Sequence, residues 1–458
     1  MRFCIIFVNK KMIEYISITN CLSMRETFKF SFLATREKDK FDDGNSSWND
    51  IVAGRKVSKL LFILGNNATG KTNFISAVRT MQNLIISRPV ERDYELEFMP
   101  FLLDDISKYK PTTFEISFFV NEARYRYTIS YNKEAIEKES LFQTNRDKEI
   151  LIYIRTHNYE REISNIEFGT KLRLGLDEQK EIINHTPKNT SVLASFWSLN
   201  IYSEILKGCY LFFRDKIAFN MNISENLADI LSKGSVTEQR RLKNDVLLFL
   251  NVIKSNIVDY KITEHKARYS IPPQLLERMN SRNELFPEFS DLMREGESVF
   301  RTISFIHETV NGRFQLEEEM ESDGTLHLIR LIAMAQTLIN NGMIVFLDEE
   351  CESIHELALK YILSCYIRLS YHCQLVIAGQ DTSFLSYDKL RRDSLRIFKK
   401  DADGNTYLFK SDDNKLYQAN TNLRNYVYKH SDLIDVYSSL FGEFPVEEFI
   451  RTVLSKRK

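Results

Sequence analysis

Gly65-Asn66-Asn67-Ala68-Thr69-Gly70-Lys71-Thr72 satisfies the pattern GxxxxGK[ST] in full. Glycines at its two ends permit a tight loop whose backbone N–H groups surround phosphate. Lys71 is the cation expected to reach the β and γ phosphates of ATP. Thr72 offers a hydroxyl to Mg²⁺, and a helix starting here adds its positive dipole end. Asn66, Asn67, Ala68, Thr69 and Asn73 complete the predicted nucleotide-binding set. The chain carries no Asn-Lys-x-Asp motif for guanine, so ATP is the expected nucleotide.

A second candidate is Ile344-Val345-Phe346-Leu347-Asp348-Glu349, an apolar run ending in two acids. Asp348 is expected to hold Mg²⁺ directly or through water. Glu349 is the candidate for orienting and polarising the attacking water. A third segment, Glu321-Ser322-Asp323-Gly324-Thr325, stands just before a helical pattern. By itself it reads as an N-cap. Asp401-Ala402-Asp403 could be an acidic metal pair, but Asp-Gly-Asn between two strand-like runs reads as a hairpin turn. Arg124-Tyr125-Arg126-Tyr127 likewise reads as the two faces of a strand rather than a nucleic-acid platform.

Elements must position these groups. Lys59 to Leu64 gives the buried strand LLFIL before the loop, and Asn73 to Ile86 has helical apolar spacing after it. Strands are predicted at Ile13–Asn20 and Glu26–Leu33, with a polar surface loop over Phe41–Lys59. Thr113–Val120 and Arg124–Tyr131 form a predicted hairpin. Ser191–Asn256 reads as mostly helical, and Pro272–Glu297 as a loop-rich connector. Further strands are expected at Phe300–Ile306, Gly312–Leu316, Met343–Leu347, Gln374–Ala378, Arg396–Phe398 and Thr406–Phe409. Thr325–Ile339, His355–Leu369 and the tail Leu423–Ser455 read as helices.

Composition bounds the rest. The chain has 458 residues, 62 Lys+Arg against 63 Asp+Glu, and a net charge of −1. No global basic field announces nucleic acid or an anionic membrane. Six cysteines contain no CxxC pair and suit reduced thiols in the cytoplasm. No apolar stretch reaches the ~18 residues of a membrane span, so no membrane partner is expected. Cys4 to Val8 is too short for a signal-peptide core. The sequence has no sustained heptads and no repeat.

With these motifs in place, the chain resembles the ABC/SMC-like AAA ATPases of bacterial abortive-infection and phage-defence operons, such as the ATPase subunit of PARIS-type systems. The resemblance rests on IEYISITNCLS from Ile13, GNNATGKTNFISAV from Gly65, PFLLD from Pro100 and PTTFEISF from Pro111. It continues through ESDGT from Glu321, LDEECESIHEL from Leu347, LRRDSLRIFKKDADGNTYLF from Leu390 and YSSLFGEFP from Tyr437. It implies an ABC-ATPase-like P-loop head, α/β with a mixed sheet and a helical insertion. It implies ATP and Mg²⁺ bound between two subunits of a homodimer, with a higher oligomer left open. Ser322 and Gly324 would act in trans as the signature, and Ser353 and His355 would lie beside the catalytic acid at that interface. Gln380 falls where such proteins carry a switch histidine. It can hydrogen-bond water or phosphate but cannot accept a proton as imidazole does, so slow or effector-dependent hydrolysis is expected.

The resulting expectation has four spans. Residues 1–11 are an N-terminal extension, and residues 12–140 the first part of the head. Residues 141–298 are a largely helical insertion and connector, and residues 299–458 the second part of the head. The function expected is an ATP-driven switch of an anti-phage defence system controlling a toxic effector such as a nuclease. The rivals are an SMC- or RecF-like DNA-repair ATPase, for which DNA would be a partner, and a self-sufficient ATP-activated nuclease. A transporter subunit fits less well, since ESDGT is not the transporter signature.

Overall fold

The computed structural model describes residues 10–35, 48–89, 91, 94–145, 148–219, 226–252, 254–269, 296–348, 356–380 and 390–409. Glu349, Ser353, His355, most of the Pro272–Glu297 connector and the Leu423–Ser455 tail lie outside them. The chain divides into two units, one of residues 1–220 with 337–458 and one of residues 221–336.

The first unit opens with strands β1 (Lys11–Thr19), β2 (Phe28–Ser31), β3 (Asn49–Val52), β4 (Arg55–Ser58) and β5 (Leu60–Leu64), then helix α1 (Lys71–Ile86). Strands β6 (Thr112–Val120), β7 (Ala123–Tyr131), β8 (Ile136–Asn145), β9 (Lys148–Asn158) and β10 (Ile163–Phe168) follow as a meander. Helices α2 (Leu176–Asn184), α3 (Val192–Trp197) and α4 (Glu204–Lys216) lead into β11 (Ile217–Phe219). The second unit contains α5 (Leu227–Leu231), α6 (Val236–Val252) and the antiparallel sheet β12 (Ile257–Tyr269), β13 (Gly296–Thr309) and β14 (Gly312–Glu317). Helix α7 (Asp323–Asn341) crosses the boundary in sequence. The first unit resumes with β15 (Ile344–Asp348), α8 (Glu356–Leu369), β16 (Gln374–Gly379), β17 (Leu395–Lys400) and β18 (Thr406–Leu408).

Two large sheets build the first unit, beside the two-stranded β3–β4. One is antiparallel, in the order β10-β9-β8-β7-β6-β1-β2; the other has the order β11-β15-β16-β5-β17-β18 and is parallel up to β17. β5 is buried along its whole length, which is why it reads as a continuous apolar run rather than an alternating one. Its neighbours are β16 and β17, which come more than 300 residues later. The carboxyl ends of these strands share one edge, the usual place for a ligand in an open α/β sheet.

Aromatic packing clamps α1 between the sheets. Phe74 of α1 lies 4.7 Å from Phe30 of β2, 5.7 Å from Phe398 of β17 and 6.3 Å from Phe346 of β15, measured between ring centres. Two buried polar side chains stitch the same region. Gln374, fully buried at the start of β16, exchanges hydrogen bonds of 2.6 and 2.9 Å with the backbone of Ile13, at the bulge in β1. The ammonium of Lys59 donates to the carbonyls of Ile367 (2.7 Å) and Ser370 (3.0 Å) at the end of α8. A cation there also meets the negative end of the helix dipole.

The structure departs from the sequence reading in three places. Residues 49–58 are not surface loop but the hairpin β3–β4, with Trp48, Val52 and Val57 buried. Residues 148–168, read as part of a largely helical span, form β9 and β10, and β12 lies in that span too. Charged residues on both faces of these strands, the buried Arg155 among them, obscured the alternation. Lys11, placed in an N-terminal extension, is the first residue of β1 and pairs with Val120.

Candidate nucleotide-binding site

The loop after β5 is held open by its own geometry. Gly70 adopts φ 101°, a left-handed conformation that favours glycine, and ends the loop as the N-cap of α1. A Cβ on Gly65 would lie 2.5 Å from Oγ1 of Thr69 and 2.8 Å from the carbonyl oxygen of Phe398. A Cβ on Gly70 would strike the hydroxyls of Thr406 and Ser23. Neither position has room for a side chain. Thr69 closes the loop by donating its hydroxyl to the carbonyl of Asn66 at 2.9 Å.

The first turn of α1 has no side-chain cap hydrogen bond and no acidic residue. Its leading N–H groups have no intrahelical acceptors. With the dipole behind them, they suit an anion. Lys71 is 4% exposed, and its ammonium donates to the carbonyls of Gly65 (2.7 Å) and Asn66 (3.0 Å), so the cation folds over the loop. Asn67, Ala68 and Thr72 are exposed at the mouth. These features fit a nucleotide's phosphates: two glycines with no room for a Cβ, a cation curled over the loop and an uncapped helix start.

The parallel register brings two further predicted residues to the same edge. Asp348 is the last residue of β15 and is paired with Ala378 of β16. Gly379 is paired with Leu64 of β5, so Gln380 stands one step beyond, level with Gly65. Asp348 and Gln380 are half-buried. Glu349 follows Asp348 directly in sequence and lies outside the described residues.

Ser322 and Gly324 belong to the other unit. Ser322 is exposed, and its hydroxyl accepts the backbone N–H of Thr325 at 3.1 Å, which makes it the N-cap of α7. The preceding Glu321 is anchored: its carboxylate lies 2.5 Å from Nε2 of His307, whose Nδ1 lies 3.0 Å from Oδ1 of Asn256.

Sequence reading missed the supports of the loop. Asn73 does not face the loop's mouth alone; its carboxamide donates to the hydroxyl of Ser23 at 2.8 Å. Ser23 is 2.8 Å from the hydroxyl of Thr406, and Thr406 reaches the carbonyl of Thr69 at 2.9 Å. These residues are 50 and 383 positions apart from Ser23 in sequence, so no local pattern links them. The Asp401–Asn405 segment is the predicted turn, and the carboxamide oxygen of Asn405 accepts the backbone N–H groups of Arg25 (2.8 Å) and Glu26 (3.3 Å). Among the described residues, no group of three or more His, Cys, Asp and Glu could hold a metal, and no helix is long and apolar enough to cross a membrane.

Residues 60–194, from β5 into α3, match the family model described as "AAA domain, putative AbiEii toxin, Type IV TA system". No curated protein matches the sequence. Among solved structures, the chain is similar to the SMC head domain from Thermotoga maritima, at 11% identity and TM-score 0.39 over 87% of this chain and 99% of that one. It is similar to an SmcHead bound to the C-winged helix domain of ScpA, at 10% identity and TM-score 0.39 over 89% and 99%. A third is an Smc head domain with an extended coiled coil bound to the C-terminal domain of ScpA derived from Pyrococcus furiosus, at 11% identity and TM-score 0.40 over 87% and 96%. Strand order and loop geometry make this an α/β P-loop NTPase fold, of which residues 60–194 are similar to the AAA domain family.

Proposed function

We propose that this chain is an ATP-binding and ATP-hydrolysing switch of an anti-phage, abortive-infection system, holding or releasing a toxic effector such as a nuclease. The observation that carries the reading is a complete P-loop with Asp348 and Gln380 along one edge of a parallel sheet. The matched family description, with its putative AbiEii toxin and Type IV TA system, supports the defence setting. The finer likeness to the ATPase subunit of PARIS-type systems belongs to the same proposal.

ATP, when bound, would supply the phosphoanhydride bond, and Mg²⁺ would supply charge neutralisation. Lys71 would turn from the loop carbonyls to the phosphates. Thr72 and Asp348 would hold the metal. Glu349 orients and polarises water for in-line attack. Gln380 hydrogen-bonds water or phosphate without taking a proton, which keeps turnover slow. Ser322 and Gly324 of a second copy complete each site, so ATP closes a homodimer. The test is phosphate release by the purified chain with ATP and Mg²⁺, together with its mass by light scattering. No release and no nucleotide-dependent association would remove the proposal.

Glu349→Gln keeps the side-chain shape and loses the charge that polarises water. It is expected to bind ATP, to lose turnover by about 100-fold or more, and to accumulate as a dimer. Turnover equal to the parent's would contradict the role given to Glu349.

Ser322→Arg separates signature from cap. As a cap alone, Ser322 contributes about 1 kcal/mol, and its loss would leave turnover intact. As part of a shared site, a long cation beside the partner's nucleotide blocks closure while each chain still binds ATP. We expect the second result. Full turnover with full ATP-dependent association in this variant would show that the sites are not composite.

A further inference from the structure

The hydroxyls of Ser23 and Thr406 and the carboxamide of Asn73 form a line behind the phosphate loop that ends on the Thr69 carbonyl. Ser23 comes from the turn after β1, and Thr406 opens β18. Both are buried. Their relative position is fixed independently, because the backbone N–H of Thr406 donates to the carbonyl of Ser23 at 2.6 Å.

The hydroxyl of Thr406 is the donor in two contacts, to the carbonyl of Thr69 at 2.9 Å and to the hydroxyl oxygen of Ser23 at 2.8 Å. Ser23 also accepts from Nδ2 of Asn73. This relay joins the first turn of α1 to two remote segments and, through Thr406, to the loop at position 69.

The end point matters for phosphate binding. No peptide bond among the described residues is cis. In a trans peptide the C=O of Thr69 and the N–H of Gly70 point in opposite directions. Thr406 holds the carbonyl toward the back of the loop, so the Gly70 N–H is turned to the opposite side. Ser23 and Thr406 mark that back, since a Cβ on Gly70 would strike both hydroxyls. Gly70 resists no rotation of its own, having no side chain and a left-handed backbone. The Thr406 hydrogen bond adds to the loop's own bonds, from the Thr69 N–H to the carbonyl of Asn66 and from the Phe74 N–H to that of Gly70, in setting this peptide's orientation.

We propose that Ser23 and Thr406 are positioning residues of the nucleotide site: through this relay they aim the Gly70 amide at bound phosphate. The proposal rests on the reading that the loop binds ATP. It makes nucleotide affinity depend on the C-terminal hairpin β17–β18, which brings Thr406 to the loop and is itself seated through Asn405 on the backbone of Arg25 and Glu26.

The experiment is titration of a fluorescent ATP analogue, with Mg²⁺, into the full chain and four variants, each checked by circular dichroism and thermal unfolding. Thr406→Val keeps the shape and removes the hydroxyl; it is expected to weaken binding about 10-fold, the effect of one hydrogen bond of ~1.4 kcal/mol. Thr406→Ser keeps the hydroxyl and is expected to bind within about twofold of the parent. Ser23→Ala breaks the line in the middle, supports the test if Thr406→Val fails to fold, and is expected to weaken binding several-fold. Combining Ser23→Ala with Thr406→Val should cost no more than Thr406→Val alone, because the line acts as a unit. If the parent binds and Thr406→Val or Ser23→Ala, whichever folds, binds equally well, the relay does not position the loop and this inference fails alone. If Thr406→Ser is as weak as Thr406→Val, the methyl packing matters rather than the hydroxyl, and it fails too. If the parent binds no nucleotide, the ATP reading fails first and takes this inference with it.

Discussion

Lys71→Ala is expected to lose ATP affinity by at least about 100-fold, the scale set by hydrogen bonds to a charged group at roughly 1.5–3 kcal/mol each. Two effects add. The ammonium is the cation that the loop motif provides for the β and γ phosphates. It also braces the loop itself, donating to Gly65 and Asn66. The variant should therefore lose thermal protection by ATP and show looser unfolding of the first unit without it. Titration with a labelled ATP analogue and a thermal scan with and without ATP read both effects. Binding within a few-fold of the parent would mean that the loop is not the nucleotide site, whatever its geometry.

Glu139→Ala is expected to cost about 3–5 kcal/mol of stability, the range for breaking a buried ion pair by removing one partner. Glu139 and Arg155 are both fully buried in the antiparallel sheet. Their charges are 3.4 Å apart, and Glu139 also accepts the hydroxyls of Tyr127 (2.8 Å) and Tyr153 (2.7 Å) and the backbone N–H of Val192 (3.0 Å). Burial and the neighbouring carboxylate push both tyrosines well above their ordinary pKa. Arg155 meanwhile donates to the carbonyls of Thr190, Pro187 and Lys188 and to the hydroxyl of Ser164. The pair thus joins β7, β8, β9 and β10 to the segment entering α3. Alanine leaves an uncompensated buried guanidinium and two unpartnered phenols. Adding Arg155→Met should restore part of the loss, so the double variant costs less than the sum of the single ones. Chemical denaturation of the four chains measures this; additive losses would show that the two charges stabilise independently.

Local chemistry in the sequence determined the phosphate loop, its flanking strand β5 and helix α1, and the apolar strand that ends in Asp348. Each depends on residues within one or two turns of one another: glycines at fixed spacing, a five-residue apolar run, a 3.6-residue repeat. The hairpin β6–β7 and the Asp401–Asn405 turn were legible for the same reason. The strands β8 to β10 were not, because charged residues such as Lys138, Glu139, Arg155 and Glu167 interrupt their apolar alternation. Two of those, Glu139 and Arg155, are charged yet fully buried, satisfied by each other and by distant backbone groups. Tertiary structure alone decided that β16 lies between β5 and β15, which sets Asp348 and Gln380 along the edge with Gly65. It alone brought Ser23 and Thr406 behind Gly70. Nothing in the neighbouring residues of Ser23 or Thr406 marks them, since a hydroxyl's role depends on which donor and acceptor the fold carries to within 3 Å of it.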